Sequence, residues 1–259
     1  MSAAGPMNIG PREWDAQTYD RVSDPQYEWG LEVLDRLELA GDELVMDAGC
    51  GSGRVTAKLL ERLPEGRVLC VDASESMIEK AREALGDRAD YLVADLSELE
   101  VPDPVDVIFS TATFHWVPDH DLLFSRLHAA LKPGGRLNAQ CGGEGNVAKH
   151  AQAIVSVATR PEFAGHFEGM TIMWNFASPG ETEGRLRNAG FDPARCWLEN
   201  KPVQPEHPYD FTTTVTMGPH LSRLPEGMRR SFAEAVLELE DDPLTLNYVR
   251  LNIEATSAG

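Results

Sequence analysis

Residues 44–63 read "LVMDAGCGSGRVTAKLLERL", and no other stretch limits the fold as strongly. An apolar run reaches Asp47, glycines follow at every second position (Gly49, Gly51, Gly53), and a helical pattern then begins. A glycine turn between strand and helix presents backbone N–H groups and the positive end of a helix, with no side chains in the way. The last glycine of such a turn also lets helix and sheet pack closely. Something therefore comes very near the backbone here, and the spacing alone does not say what.

The same beat continues along the chain. Strands are expected at "ELVMDAG", "RVLCVDAS", "ADYLVAD", "VDVIFSTAT" and "GRLNAQC", with helices between them at "RVTAKLLERL", "SESMIEKAREAL" and "DHDLLFSRLHAAL". Short apolar strands alternating with amphipathic helices mark a parallel sheet covered on both faces. Ser74 caps the second of those helices, Gly86 closes it, and Pro133-Gly134-Gly135 stops the third. Beyond Cys141 the alternation weakens. Helices are expected at "NVAKHAQAIVSVATR", "PGETEGRLRNAGF" (ended by Gly190) and "PEGMRRSFAEAVLELE", strands at "ARCWLENKPV" and "LNYVRLNIEATS", while "MTIMWNFASP" is ambiguous. The fold class is thus α/β: a Rossmann-like, doubly wound, seven-stranded, mostly parallel sheet with an inserted helical cap. With no repeat, low-complexity tract or linker, residues 1–259 read as a single domain. Residues 142–178 and 205–242 supply the cap around the late strands. Residues 1–30 are too aromatic for a loose tail and read as a lid that closes over the body; "YEWGLEVLDRLEL" continues as a helix with Trp29, Val33, Leu34 and Leu37 at helical spacing.

Composition narrows the function. The 259 residues carry a net charge of −19, which argues against nucleic acid and anionic membranes as partners, since phosphate backbones are held mainly by Lys and Arg. No run approaches the roughly twenty apolar residues of a membrane span, and no signal peptide is evident, so a cytoplasmic protein is expected. Cys50, Cys70, Cys141 and Cys196 form no CxxC pair and read as buried thiols, not as a zinc site or disulfide frame. No metal is expected.

A second acidic residue, Asp72, ends the second strand, where a doubly wound sheet places a carboxylate for ribose hydroxyls. The P-loop lysine is missing, which disfavours a nucleoside triphosphate, and GxGxxG spacing is absent, which disfavours an NAD-dependent dehydrogenase. Together the features point to a nucleoside cofactor. The segments "VMDAGCGSG", "CVDASESMIEKAR", "YLVADLSEL" and "LKPGGRL" resemble the class I S-adenosylmethionine-dependent methyltransferases, in order, over residues 26–141. That resemblance implies S-adenosyl-L-methionine as cofactor and S-adenosyl-L-homocysteine as product. It implies Asp47, Gly49, Gly51 and Gly53 at the methionine moiety, Asp72 and Ala73 at the ribose, and Met77, Asp95 and Leu96 at the adenine. Thr111 is expected to border the methyl donor.

In an open α/β sheet ligands lie beyond the carboxyl ends of the strands, which directs attention to "FSTATFHWVPDHDLLF". "FHWVPDH" is similar to a segment of the trans-aconitate and juvenile hormone acid methyltransferase branch, which methylates carboxylates, and "YDRVSDPQYEWG" resembles its lid. The resemblance implies that His115, Trp116 and Gln26 orient the acceptor. The acceptor is then a small molecule, an ionised carboxylate that needs no base; for a phenol or amine, His115 is the candidate base. The cap is rich in Phe163, Phe167, Met170, Met173, Trp174 and Phe176, favouring an apolar acid or natural product over a tricarboxylate, with Arg160, Arg223 and Arg229 as candidate anion partners. A module that binds the cofactor without methylating is the alternative from another class. The sequence leaves the oligomeric state open.

Overall fold

The computed structural model describes residues 24–170 and 174–258. The expected lid therefore lies mostly outside the described residues, with Trp14 and Tyr19, and so does Met173. Seven strands form one sheet in the order β3-β2-β1-β4-β5-β7-β6. They are β1 (Leu44–Ala48), β2 (Arg67–Asp72), β3 (Ala89–Val93), β4 (Val105–Thr111), β5 (Leu131–Gly142), β6 (Phe191–Val203) and β7 (Leu246–Ser257). β1 to β5 run parallel, and β7 is antiparallel to both β5 and β6. The chain reverses its winding between β1 and β4, the point where such sheets open a crevice at their carboxyl edge.

Side chains alternate across the pleat, and both faces are buried. Val45, Val107 and Phe109 join Val33, Leu34, Leu59 and Ile78 on one face, packed under α1 (Asp24–Asp35), α2 (Arg54–Glu61) and α3 (Glu75–Leu85). Met46, Ala48 and Ile108 face the other way, toward Phe124, Leu127 and Leu186 of α4 (His120–Ala129) and α7 (Pro179–Ala189). Trp29, Val33, Leu34 and Leu37 are all buried, as the helical spacing predicts.

Local chemistry sets the helix ends. Ser74 Oγ accepts the Met77 N–H at the start of α3, and Gly86 ends it. Ser178 and Glu181 form a reciprocal capping box on α7, and Gly190, at φ +104°, closes it. The Pro133-Gly134-Gly135 stop is different from the expectation. Helix α4 is over by Ala129, Leu131 already pairs with Val105, and the tetrad Lys132-Pro133-Gly134-Gly135 is a bulge before Arg136 pairs with Val107. A positive φ of 76° at Gly134 makes that detour possible.

After β5 the chain builds the helical layer: α5 (Ala148–Ala158), α6 (Pro161–Phe167), then, beyond β6, α8 (Pro208–Val215), α9 (Gly218–Arg223) and α10 (Glu226–Leu237). Ile154, Val157, Phe163, Met217, Phe232 and Val236 form its own core. Helices α6, α8 and α9 fall within the residues expected to supply the cap but were not individually expected; α6 and α9 are too short to show a hydrophobic period. The four cysteines are free thiols, and among the described residues no helix is long and apolar enough to cross a membrane and no metal-ligating cluster occurs.

Candidate functional site

The three glycines of the first turn all have positive φ, +86°, +55° and +84°, a region costly for other residues. They differ in what a side chain would meet. A Cβ on Gly49 would lie 2.1 Å from Thr113 Oγ1, and one on Gly53 would lie 3.0 Å from Leu85 Cδ1. On Gly51 it would meet nothing within 4 Å among the described residues. The protein itself explains the outer two glycines; among the described residues the middle one faces open space. Gly49 N–H and Cys50 N–H both donate to Val71 O (2.7 and 3.0 Å), fastening the turn to β2.

Two carboxylates flank this turn. Asp72 Oδ2 accepts the Gly51 N–H at 3.0 Å and Oδ1 accepts the Ser74 N–H at 2.9 Å, so backbone N–H groups hold the carboxylate at the carboxyl end of β2. A carboxylate offers about four acceptor positions, so this anchoring is compatible with further donors. Ala73 is half-buried beside it. Asp47 is buried and accepts from Thr56 Oγ1 at 2.7 Å. Burial pushes its carboxyl up to about 7, the Thr56 bond opposes that shift, and the charge of Asp72 adds to it. Such a group has its charge restored by a cation placed against it.

The remaining donor-side candidates divide. Met77 is buried at the head of α3 and belongs to neither sheet-face cluster. Asp95 Oδ1 accepts from both Ser97 N–H (2.8 Å) and Ser97 Oγ (2.7 Å), capping a short turn whose Leu96 is core. Thr111 is turned under α1, where a Cβ on Gly30 would approach its Oγ1 at 3.5 Å, and it does not line the cavity described next. Its neighbour Ala112 does.

A cavity partly open to solvent lies beyond β4, β5 and β7. Two of its wall residues, Ala112 (φ 57°) and Val147 (φ 46°), are non-glycine residues in the left-handed region. Each such conformation costs on the order of 1–3 kcal/mol and gathers at functional sites. Ala112 is held there by its N–H, which donates to Gln140 O at 2.7 Å; Val147 N–H donates to Asn247 O at 3.0 Å.

His115 and Trp116 follow Ala112 on a 3-10 turn, Phe114–Trp116, and both line the cavity. The Gly142 N–H donates to His115 Nδ1 at 3.3 Å, which puts the ring proton on Nε2. Burial foremost, then the nearby Arg250 cation and His120, holds the imidazole pKa well below 6.5. His115 is therefore a neutral hydrogen-bond donor, and its stacking on Phe176 (centroids 5.6 Å apart, 28° between planes) fixes the ring. Trp116 meets Trp174 edge-on at 5.7 Å.

Gln26 also lines the cavity, with Oε1 buried and without a partner among the described residues; Trp174 Nε1 is in the same state. Buried polar atoms left unpaired inside a cavity mark where a ligand's polar atoms belong. The cation of the site is one the sequence reading did not single out. Arg250 of β7 is 3% exposed, lines the cavity, places its guanidinium 4.9 Å over the Trp29 ring, and donates from Nε to Gln140 Oε1 at 3.4 Å. Arg160, Arg223 and Arg229, the expected anion partners, do not line it; Arg229 Nε donates to Leu224 O instead. Phe163 and Phe167 belong to the helical layer's core and Met170 does not line the cavity; among the described residues of that apolar set, Trp174 and Phe176 face it. The missed signal was a lone arginine within "LNYVRLNI", a strand otherwise patterned for burial.

Comparison with known proteins follows this geometry. Residues 45–135, which contain the glycine turn and both carboxylates, match a methyltransferase domain family. A trans-aconitate 2-methyltransferase from Methylobacterium nodulans is 32% identical over 186 residues, covering 72% of this chain and 67% of that protein. One from Azoarcus sp. is 40% identical over 127 residues, and there the match spans only about half of each chain, 49% and 50%. Among solved structures, a Haemonchus contortus phosphoethanolamine N-methyltransferase 2, bound to phosphomonomethylethanolamine and S-adenosylhomocysteine, superposes with a TM-score of 0.60 at 19% identity. That superposition covers 94% of this chain and 57% of the other, and it speaks to the fold.

Proposed function

The chain belongs to the class I S-adenosylmethionine-dependent methyltransferases, in the branch of the trans-aconitate methyltransferases, and from that premise we propose that it methylates a carboxylate oxygen of a small, largely apolar acid. The residues present fit the cofactor. Among the described residues Gly51 leaves open space where a side chain would stand, Asp72 is held by two backbone N–H groups, and a cation against the buried Asp47 would restore its charge. These three would hold the methionine moiety and the ribose, with Ala73, Met77, Asp95 and Leu96 as the adenine-side candidates. When bound, S-adenosylmethionine supplies an electrophilic methyl group on a sulfonium sulfur.

The observation that carries the acceptor assignment is Arg250, a buried cation in a cavity walled by Trp116, Trp174 and Phe176. An ionised carboxylate, with a pKa of about 4.3, needs no base at neutral pH. It needs an anchor and an orientation. Arg250 supplies charge-assisted hydrogen bonds, and His115 Nε2–H and Trp174 Nε1–H are directed donors; Gln26 contributes through its amide N–H, since its Oε1 is an acceptor and does not pair with a carboxylate oxygen. His115 acts in this scheme as a donor, in keeping with its neutral ring. Rate then comes from positioning in a site closed to water. Arg250 is the one cation among the described residues lining the cavity, which favours a monocarboxylate with an apolar body over a tricarboxylate. Release of S-adenosylhomocysteine with a panel of arylalkanoic and aliphatic monoacids, with trans-aconitate alongside, tests this. Faster turnover of trans-aconitate than of any monoacid would overturn the acceptor assignment, and cofactor binding without turnover of any acceptor would favour a non-catalytic module.

A further inference from the structure

Thr216 joins the cavity wall to a buried polar chain that carboxylate methylation leaves unused. Its Oγ1 lies 2.8 Å from His150 Nε2, and His150 Nδ1 lies 2.7 Å from Glu240 Oε1. Both the His150 and Glu240 side chains are 2% exposed. Thr216 closes α8, His150 rides on α5 and Glu240 follows α10, so three separate helices bring the chain together. The other titratable groups around it are Lys149, 4.0 Å from Glu240 Oε2 and hydrogen-bonded to Asp241, and His220, whose pKa is held down to about 4 by burial and by His150.

Counting protons shows what this chain can do. Thr216 has one hydroxyl proton and two possible acceptors, Thr212 O at 3.0 Å and His150 Nε2. An ionised Glu240 only accepts, so His150 Nδ1 carries a proton beside it. If Thr216 donates to His150, the imidazole is neutral. If Thr216 donates to Thr212 O, Nε2 carries a proton as well and the ring is an imidazolium. The two arrangements differ by one proton and by no heavy-atom movement. An ionised carboxylate acceptor has no proton to release into such a chain. His115 cannot serve instead, because its Nδ1 receives the Gly142 N–H and its Nε2 already bears a proton.

We propose that Thr216, His150 and Glu240 form a proton relay that lets the same cavity methylate a phenolic hydroxyl. This rests on the cofactor and acceptor sites assigned above. The phenol O–H bond breaks and its proton goes to Thr216 Oγ1, while the Thr216 proton goes to His150 Nε2. The freed oxygen pair forms the new C–O bond, and the C–S pair leaves on the sulfur of S-adenosylhomocysteine. Glu240 steadies the imidazolium until solvent takes the proton. Arg250 faces the phenolate as it would face a carboxylate. Thr216 is the group that touches the acceptor; His150 and Glu240 act through it.

Two readouts on the full chain test the relay. The first needs no methyl transfer: 4-propylphenol is bound to the protein–S-adenosylhomocysteine complex and titrated by its phenolate absorbance. The bound phenol is expected to ionise roughly a hundredfold more readily than in solution, where its pKa is about 10. His150→Gln should abolish most of that gain. The second compares methylation of 4-propylphenol with that of a nitrophenol already ionised near neutrality. His150→Gln and Glu240→Gln should lower the alkylphenol rate by about 10²–10⁴, the usual contribution of a general base, while the nitrophenol keeps most of its rate. Equal loss with both phenols would mean that the network only packs the cap, and would overturn the relay. Acids methylated by the wild type with no phenol methylated would overturn the relay and leave carboxylate methylation standing, whereas no turnover of any acceptor would remove both. Should His150→Gln fail to fold, Thr216→Val severs the relay at the cavity, keeps the His150–Glu240 pair, and carries the same two readouts.

Discussion

Replacing Gly51 by alanine separates a glycine kept for the protein from one kept for a ligand. At φ +55° an alanine sits in the left-handed region, at a cost of roughly 1–2 kcal/mol. For a chain of this size that lowers the melting temperature by about 2–8 °C. Nothing among the described residues adds to the penalty, since none of their atoms lies within 4 Å of the new Cβ. If the cofactor's methionine moiety occupies that space, the methyl group is an intrusion worth about 1–3 kcal/mol, the cost of overpacking. Affinity for S-adenosylhomocysteine should then fall about 5- to 150-fold at roughly 1.4 kcal/mol per decade. Isothermal titration and thermal melts on the same samples measure both effects. Gly49→Ala is the contrast: its Cβ would stand 2.1 Å from Thr113 Oγ1, so it should cost much more stability. Wild-type affinity in a Gly51→Ala protein with a lowered melting temperature would show that no ligand lies against that residue, and the reasoning would fail.

Arg250→Met, which keeps the stem and removes the charge, should raise the Michaelis constant for the acid acceptor about 10- to 100-fold, as loss of a charge-assisted hydrogen bond costs about 1.5–3 kcal/mol; an equal effect on a neutral acceptor would contradict an anion site. His115→Gln should retain part of the carboxylate methylation, and the wild-type rate with acids should show no titration near 6.5, because burial holds that imidazole well below 6.5; a histidine-like inflection lost in the variant would make it a base. Asp47 bears on stability against pH: its folded pKa of about 7 lies above the unfolded value of 3.8. The folded, ligand-free protein therefore binds the extra proton, and that stabilisation is full below about pH 4 and lost as pH rises through about 7. Asp47→Asn should flatten this window in urea unfolding measured from about pH 5 to about pH 8, and cofactor affinity in the wild type should weaken below about pH 7 as the carboxylate takes up a proton.

Residues 44–96 could be read from the sequence because their requirements are local. Positive φ at Gly49, Gly51 and Gly53 and the alternation of "RVLCVD" act over a few bonds, and a βαβ unit brings Asp47 and Asp72 together within one crossover. Ser74, Gly86 and Gly190 mark helix ends for equally local reasons. His115 and Trp116 were legible as the residues following a strand end, although not their hydrogen bonds. The tautomer of His115 is set by the N–H of Gly142, across the sheet on β5. Arg250 reaches the cavity because β7 inserts antiparallel between β5 and β6, with Arg250 opposite Gly142 in register, and a register between strands more than a hundred residues apart leaves no local period in the sequence. Helices α6 and α9 are shorter than a pattern can declare, and Thr216, His150 and Glu240 meet only when three of the layer's helices have packed. The sequence by itself determined the glycine-turn half of this protein, where backbone conformation is the constraint. Tertiary structure alone decided the cavity beside it, where the constraint is which distant side chains share one buried, low-dielectric space.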